Sequence, residues 1–160
     1  MATEDPGAAR RSGRGLAGDE GGLTVLMVFL VPAFILIFAA ALDISKLNAQ
    51  RRYVQAQADL SALSAVQRLP RVPESRQVAG EVVRRNTTYG VLAVAGSDVV
   101  FGHFGYGVGF TPGADQNAES GFDAVSVRVR SPYDPLLLGP FLAGNQLWVV
   151  REAVAARQDP

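Results

Sequence analysis

Hydrophobic residues are concentrated in one run near the start of the chain. Residues 23–42, LTVLMVFLVPAFILIFAAAL, contain no ionisable side chain. A helix of this length rises about 30 Å, which matches the hydrocarbon core of a bilayer. The run therefore predicts a transmembrane helix, and Pro32 within it predicts a bend of the kind that membrane helices tolerate. Residues 1–22 lack apolar periodicity and predict a flexible tail.

A cleaved secretory signal is the alternative to a permanent anchor, because three arginines precede the run: Arg10, Arg11 and Arg14. The run of 20 residues is long for the apolar part of a signal sequence. It also continues from Ala41 through Leu42 into Asp43 without a turn-forming residue. We therefore expect the anchor to be retained.

The pattern beyond the apolar run predicts that the helix continues as a stem. Residues 43–67, DISKLNAQRRYVQAQADLSALSAVQ, contain neither Gly nor Pro and are rich in helix-forming Ala, Gln, Leu and Arg. Apolar residues recur on two neighbouring helical faces, Leu47, Val54, Ala58 and Val66 on one, and Tyr53, Ala56, Leu60 and Leu63 on the other. The stem is expected to reach residue 69, where Pro70 and Pro73 end it.

The remaining pattern predicts a short amphipathic helix followed by strands. The helix is expected at residues 74–86, a strand at 99–104, and a short strand around Phe110. Residues 124–130, AVSVRVR, alternate strictly, which predicts that Val125, Val127 and Val129 face a core and that Ser126, Arg128 and Arg130 face water. Residues 147–154 are compatible with a helix or a strand, and we favour a strand because Trp148, Val149 and Val150 prefer it.

These elements predict an α+β fold. It consists of a long N-terminal transmembrane helix with an extramembrane stem, followed by a small antiparallel β-sheet body with one short helix. The expected segments are a flexible tail at 1–22, the transmembrane helix at 23–42, the helical stem at 43–69 and the body at 70–160.

Composition excludes some functions. Fifteen basic residues balance fifteen acidic ones, whereas a nucleic-acid-binding protein needs a basic excess for phosphate contacts. The chain has no cysteine, so neither a disulfide framework nor a thiolate metal site is available. The aspartates of the body are scattered through loops without the ligand spacing of a calcium site.

The case for catalysis depends on His103, the only histidine. Its strand context lacks a partner motif, which favours a structural or surface role over a catalytic one. The GYGVG run at 105–109 does not fit a nucleotide-binding loop and is better explained as a β-hairpin turn. We therefore expect no catalytic residue, no metal site and no cofactor. The alternative is a membrane-anchored or secreted envelope enzyme of unknown chemistry that uses His103.

Residues 19–66 resemble the N-terminal segment of TadG-like proteins of the Tad (tight adherence, Flp pilus) assembly system. That pattern has an apolar span with an internal Pro, an Asp, and an Ala-rich stretch of the type LQ-x-A-x-D-x-A-A-L-A. Here GDEGGLTVLMVFLVPAFILIFAAALDISKL is followed by RRYVQAQADLSALSA. The chain departs from the pattern in having Val54 for Leu and Gln57 for Ala. FDAVSVRVR and REAVAAR, nearer the C-terminus, extend a weaker similarity over most of the chain.

The resemblance implies a bacterial cell-envelope protein that crosses the cell membrane once, with a cytoplasmic N-terminus and an extracytoplasmic body. Charge alone gives no orientation, because Lys46, Arg51 and Arg52 follow the span as closely as the N-terminal arginines precede it. The implied role is pseudopilin-like participation in assembling a pilus or a related secretion apparatus. The expected partners are membrane lipid and other pilus-assembly membrane proteins or pseudopilins, with no nucleic acid and no small-molecule substrate.

The stem is the expected interaction surface, because small alanine side chains allow helices to approach closely. The candidate interaction residues are Asp43, Gln55, Ala58, Asp59, Ala62 and Leu63. We expect Asp43 to mark the end of the membrane-buried segment, since a charge is costly within the bilayer. Asp59 either pairs with a basic residue of a partner helix or keeps the stem soluble, and the sequence leaves both roles open.

Pilin subunits carry a Gly at the cleavage site of prepilin peptidase and a Glu five residues beyond it. A cut after Gly21 or Gly22 would put Leu26 or Met27 at that position. We therefore expect that the chain keeps its tail and acts as an anchor or assembly factor.

Overall fold

The computed structural model describes residues 19–86, 92–118, 121–137, 139 and 147–157. Two helices come first, α1 at Asp19–Val66 and α2 at Val72–Arg85. A short 3₁₀ turn at Gly96–Asp98 leads into four strands, β1 at Val99–Gly105, β2 at Gly109–Pro112, β3 at Ala124–Tyr133 and β4 at Leu147–Ala156. The predicted α+β fold is thus confirmed. The tail predicted at 1–22 lies outside the described residues up to residue 18.

The chain divides into two compact units, residues 1–38 and 39–160. The described part of the first unit is helical, and its large apolar side chains from Leu23 to Phe38 are exposed. An 18-residue window of this helix has a mean hydropathy of 2.9, and only 6% of that window is buried. Its length and composition fit a single-pass membrane anchor.

The second unit is built on an antiparallel sheet with the strand order β2-β1-β3-β4. β3 pairs with β4 over its whole length, from Ala124 opposite Ala156 to Tyr133 opposite Leu147. One face of the sheet forms the core together with both helices. The core contains Val54, Ala58, Ala62, Ala65 and Val66 of α1, Val72, Ala79 and Val83 of α2, and Phe101, Val125, Val127, Val129, Val149, Ala153 and Ala155 of the sheet.

The two apolar faces predicted for the stem have different surroundings. The first face enters the core, since Val54, Ala58 and Val66 are buried. On the second face, Leu60 and Leu63 are exposed. The face that packs inward combines valine with alanine, and such short side chains allow the helix backbone to lie close to its neighbours.

Two serine hydroxyls join α1 to α2 within the core. The Ser61 hydroxyl donates to the Ala79 carbonyl at 2.8 Å, and the Ser75 hydroxyl donates to the Ala65 carbonyl at 2.7 Å. Buried hydroxyls need such partners. α2 begins at Val72, two residues before the predicted start, because Pro73 fits the first turn of a helix, where its missing N–H is not required.

The alternation predicted for β3 is confirmed except at one position. Val125, Val127 and Val129 are fully buried, and Arg128 and Arg130 are exposed. The expectation that Ser126 faces water was wrong, because its side chain is buried and donates a hydrogen bond to Glu152 on β4 at 2.7 Å. A cross-strand partner on the outer face can bury a small polar residue as effectively as the core does.

The ends of the strands also differ from the prediction. β3 extends through Pro132 to Tyr133. Arg130 exchanges backbone hydrogen bonds with Ala93, so the missing N–H of Pro132, two residues on, faces away from β4 and leaves that ladder intact. The strand favoured for residues 147–154 is confirmed as β4, and the GYGVG run forms the β1–β2 turn, in which Gly107 and Gly109 adopt φ of 82° and 80°.

Candidate interaction site

Asp43 is buried and holds the segment that follows β3. Its carboxylate accepts the backbone N–H of Leu136 at 2.7 Å and that of Leu137 at 3.3 Å. Its backbone carbonyl accepts the Tyr133 hydroxyl at 2.7 Å. A buried carboxylate is stable only where such donors replace water. Asp43 therefore joins α1 to the end of β3 and to the segment that follows it.

Two further side chains of α1 contact the end of β3 and the residue that follows it. The Lys46 ammonium donates to the Asp134 carbonyl at 2.6 Å. The Gln50 amide donates to the Ser131 hydroxyl and to the Pro132 carbonyl, both at 2.8 Å. We term Asp43, Lys46 and Gln50 the clasp. Sequence reasoning missed Lys46 and Gln50, although their spacing of three and seven residues from Asp43 places them on one helical face.

Tyr133 contacts two residues of the clasp, Asp43 and Lys46. Burial raises the pKa of its phenol above the ordinary value of 10, and the negative charges of Asp43 and Asp134 raise this pKa further. The hydroxyl therefore stays protonated at neutral pH, as its hydrogen bond to the Asp43 carbonyl requires. The Lys46 ammonium lies 5.8 Å from the centre of the Tyr133 ring, a cation–π distance.

The other predicted interaction residues divide into buried and exposed members. Ala58 and Ala62 are 0% and 1% exposed and pack within the core of this chain. Leu63 is 54% exposed, and Asp59 is also exposed. Gln55 is half-buried, and its amide donates to the Asp59 carboxylate at 2.9 Å, one helical turn on. The structure thus places Gln55, Asp59 and Leu63 at the surface and the two alanines beneath it.

The surface members belong to a longer row on α1. Helical spacing groups Asp59 and Leu63 with two other exposed residues, Ala56 and Leu60, the second of which is 48% exposed. We term Ala56, Asp59, Leu60 and Leu63 the exposed strip. A shallow depression beside it is lined by Arg51, Arg52, Gln55, Ala56, Asp59 and Arg151. The strip is therefore apolar with one acid, and arginines lie along its edge.

His103 lies on β1. This strand pairs with the start of β3, whereas the clasp contacts the end of β3 and the residues that follow it. Its Nδ1 atom is 3.5 Å from the carboxylate of Asp123, and both side chains are exposed. The same carboxylate accepts the backbone N–H of Phe104 at 3.1 Å. Within the described ranges, no group of three or more His, Cys, Asp or Glu side chains has the arrangement of a metal site.

The outer face of the sheet carries a charged cluster. Glu152 accepts the Ser126 hydroxyl at 2.7 Å and the Arg128 guanidinium at 2.9 Å. These hydrogen bonds, that of Ser126 first, hold the pKa of Glu152 below its ordinary value of 4.5. Asp98 pairs with Arg130 on the neighbouring part of β3. These ion pairs hold β3 to β4 and to the turn before β1.

The clasp, the strip and the apolar helix all lie in α1, and one comparison with known proteins covers this segment. Residues 21–68 match the Tad family model, described as putative Flp pilus-assembly TadE/G-like. We term residues 21–68 the Tad segment. The family resemblance inferred from the sequence is confirmed for this segment. No curated protein and no solved structure matches the chain.

All six predicted interaction residues fall within the Tad segment. They have two different environments in the structure. Ala58 and Ala62 lie in the core, whereas Asp59 and Leu63 lie on the surface. Their role in binding a partner stays a prediction.

Proposed function

We propose that this protein is a non-enzymatic, membrane-anchored component of a Tad/Flp-type pilus assembly or secretion apparatus. The match of residues 21–68 to the Tad family model carries this proposal. The exposed apolar helix within the Tad segment supports it, because such side chains suit a lipid environment. The protein would act as a stationary member of the apparatus that binds other membrane components.

The proposed binding surface is the exposed strip on α1. Leu60 and Leu63 are large apolar side chains that the core of this chain does not cover. Burying a leucine side chain in a partner contributes roughly 1.5–3 kcal/mol, so two of them can direct binding. Ala58 and Ala62 would contribute indirectly, by fixing the distance of α1 from the sheet. The partner is a helix that offers apolar side chains to the leucines and a basic group to Asp59.

The proposed topology follows the family resemblance. The N-terminus lies in the cytoplasm, and the folded second unit lies outside the cell membrane. Because the chain has no cysteine, a single cysteine at exposed Gln77 can be labelled without background. A membrane-impermeant maleimide should label Gln77→Cys in intact spheroplasts, and labelling only after lysis would contradict the topology.

Site-specific photo-crosslinking in membranes that carry the apparatus tests the binding surface. A photoreactive residue at Leu63 should form an adduct with another membrane component of the apparatus, and the same residue at Gln77 on α2 should not. The adduct at position 63 should disappear when Leu60→Asp is added. Equal adducts at the two positions would contradict the proposed surface.

Surface piliation provides the functional test. Leu60→Asp with Leu63→Asp should abolish assembly, because the partner contact would bury two uncompensated charges. Gln77→Asp, which places one such charge on an exposed position of α2, is the control and should retain assembly. Both changes affect exposed positions, so their effect on folding should be small.

A further inference from the structure

Among the described residues, four large apolar side chains are exposed around the end of the sheet where β3 leads towards β4. Leu136 and Leu137, which follow β3, are 66% and 43% exposed. Leu147 and Trp148, which begin β4, are 42% and 52% exposed. The pairing of Tyr133 with Leu147 places these residues at the same end of the β3–β4 ladder. We term Leu136, Leu137, Leu147 and Trp148 the apolar rim.

The clasp places this rim beside the residue at which the charge-free run ends. Asp43 is the first ionisable residue after residues 23–42. Its carboxylate binds the backbone N–H groups of Leu136 and Leu137 themselves. The rim is therefore tied to the point of the chain where a membrane-spanning helix would leave the hydrocarbon.

Backbone hydrogen bonding makes the rim suitable for contact with lipid. A backbone N–H without a partner is strongly disfavoured where water is excluded. The two residues with the exposed leucine side chains have their N–H groups satisfied by Asp43. The two leucines can therefore move out of water while their backbone donors stay paired. In an ordinary exposed loop, the same move would leave such donors without a partner.

The side chains around the rim also match the chemistry of a membrane surface. Tryptophan and tyrosine are enriched at the level of lipid headgroups, and long basic side chains reach from there towards water. Trp148 lies in the rim, and the exposed Lys46 side chain lies over the ring of Tyr133, which is itself buried and pairs with Leu147. Leucine, aromatic and lysine side chains thus occur together at this end of the sheet.

We propose that the apolar rim lies in the headgroup layer of the same bilayer that the helix spans. This inference rests on the membrane anchorage of the proposed function. The folded unit then has a lipid contact of its own in addition to the spanning helix. Such a contact limits the freedom of the unit at the membrane surface and so presents the exposed strip to partners in a restricted orientation.

Trp148 allows a direct test, because it is the only tryptophan in the chain. The full chain is reconstituted into phosphatidylcholine–phosphatidylglycerol vesicles that contain lipids brominated near the headgroup. Flotation of the protein with vesicles after carbonate washing is measured in the same preparations. We expect loss of Trp148 fluorescence relative to unbrominated vesicles, and a smaller loss when the bromines lie deep in the acyl chains.

Two double variants test whether the quenching of Trp148 depends on the leucines of the rim or on exposed leucines elsewhere. Leu136→Ser with Leu137→Ser retains both backbone donors to Asp43 and should reduce the quenching of Trp148. Leu60→Ser with Leu63→Ser, which changes the exposed strip by the same chemistry, should leave the quenching unchanged. Near-ultraviolet circular dichroism verifies that each variant is folded.

A nitroxide at a single cysteine provides a measurement that does not depend on Trp148. Attached to Leu136→Cys, it should collide more with oxygen than with a water-soluble nickel chelate, and the reverse should hold at Leu63→Cys. Spin–spin broadening at position 136 would show that a second copy covers the rim and would overturn the inference.

The outcomes distinguish this inference from the proposed function. If the protein does not float with the vesicles, the membrane anchorage fails and the inference fails with it. If the protein floats but Trp148 is not quenched, the inference alone is wrong.

Discussion

The carboxylate of Asp43 accepts a hydrogen bond from the backbone N–H of Leu136 at 2.7 Å, although the two residues are 93 positions apart in the chain. The Tyr133 hydroxyl bonds the carbonyl of the same aspartate at 2.7 Å. A residue that follows the charge-free run within α1 thus also joins α1 to the segment after β3 in the second unit. Asp43 therefore has a structural role that the family resemblance does not by itself supply.

Replacement of Asp43 should destabilise the second unit. Asp43→Ala leaves two backbone donors unsatisfied, so we expect the free energy of unfolding to fall by about 1–3 kcal/mol. Asp43→Asn retains one acceptor oxygen and should lose less. Urea unfolding of the full chain in detergent micelles measures both changes. Asp59→Ala, at an exposed position, is the control and should change stability by less than about 0.5 kcal/mol. Equal losses at positions 43 and 59 would contradict the role of the clasp.

Enlarging Ala58 should also destabilise the fold. Its side chain is fully buried, so the three added carbons of Ala58→Leu overpack the core and should reduce the free energy of unfolding by about 1–3 kcal/mol. Ala56→Leu makes the same change on the exposed side of α1 and should have little effect. The same unfolding experiment compares the two. Full stability of Ala58→Leu would mean that this face of α1 does not pack on the sheet in solution.

Removal of the His103 imidazole should not affect the apparatus. The His103 imidazole is exposed and lies 3.5 Å from the Asp123 carboxylate, and an exposed contact of this kind contributes about 0–1 kcal/mol, so His103→Ala should fold normally. Complementation of a deletion strain, scored by surface pili, provides the measurement. A folded His103→Ala protein that fails to support assembly would favour the enzyme alternative over the proposed function.

Lowering the pH should reduce the stability of the second unit, partly because Glu152 becomes protonated. Its pKa in the folded protein lies below the ordinary value of 4.5, because of the hydrogen bonds from Ser126 and then Arg128. A lowered folded-state pKa means that the stabilisation is fully present above the unfolded-state pKa and is lost as the pH falls through the folded-state value. Unfolding of wild type and Glu152→Gln should therefore differ most near neutral pH and converge in acid. A difference that grows as the pH falls would show that the sign is wrong.

The sequence by itself determined the elements whose signals are local. A charge-free run of bilayer length, an uninterrupted helix-forming stretch and the alternation of β3 each specify one element without reference to the rest of the chain. The Tad pattern is local too, since residues 21–68 contain it entirely. These signals were sufficient for the α+β fold class and the apolar anchor, whereas residues 147–154 were compatible with a helix as well as with the strand that we favoured and that the structure has.

Only the tertiary structure decided which of the two apolar faces of the stem is covered. The stem presents two adjacent apolar faces, and periodicity gives both the same weight, so Ala58 and Leu63 were indistinguishable as contact residues. Packing against the sheet buries one face and leaves the other to solvent. Ser126 likewise follows an alternating pattern that predicts exposure, until Glu152 on the next strand covers it. The clasp depends on contacts across more than 80 residues. Local periodicity carries no information about such distant partners, because they meet only when the whole chain folds.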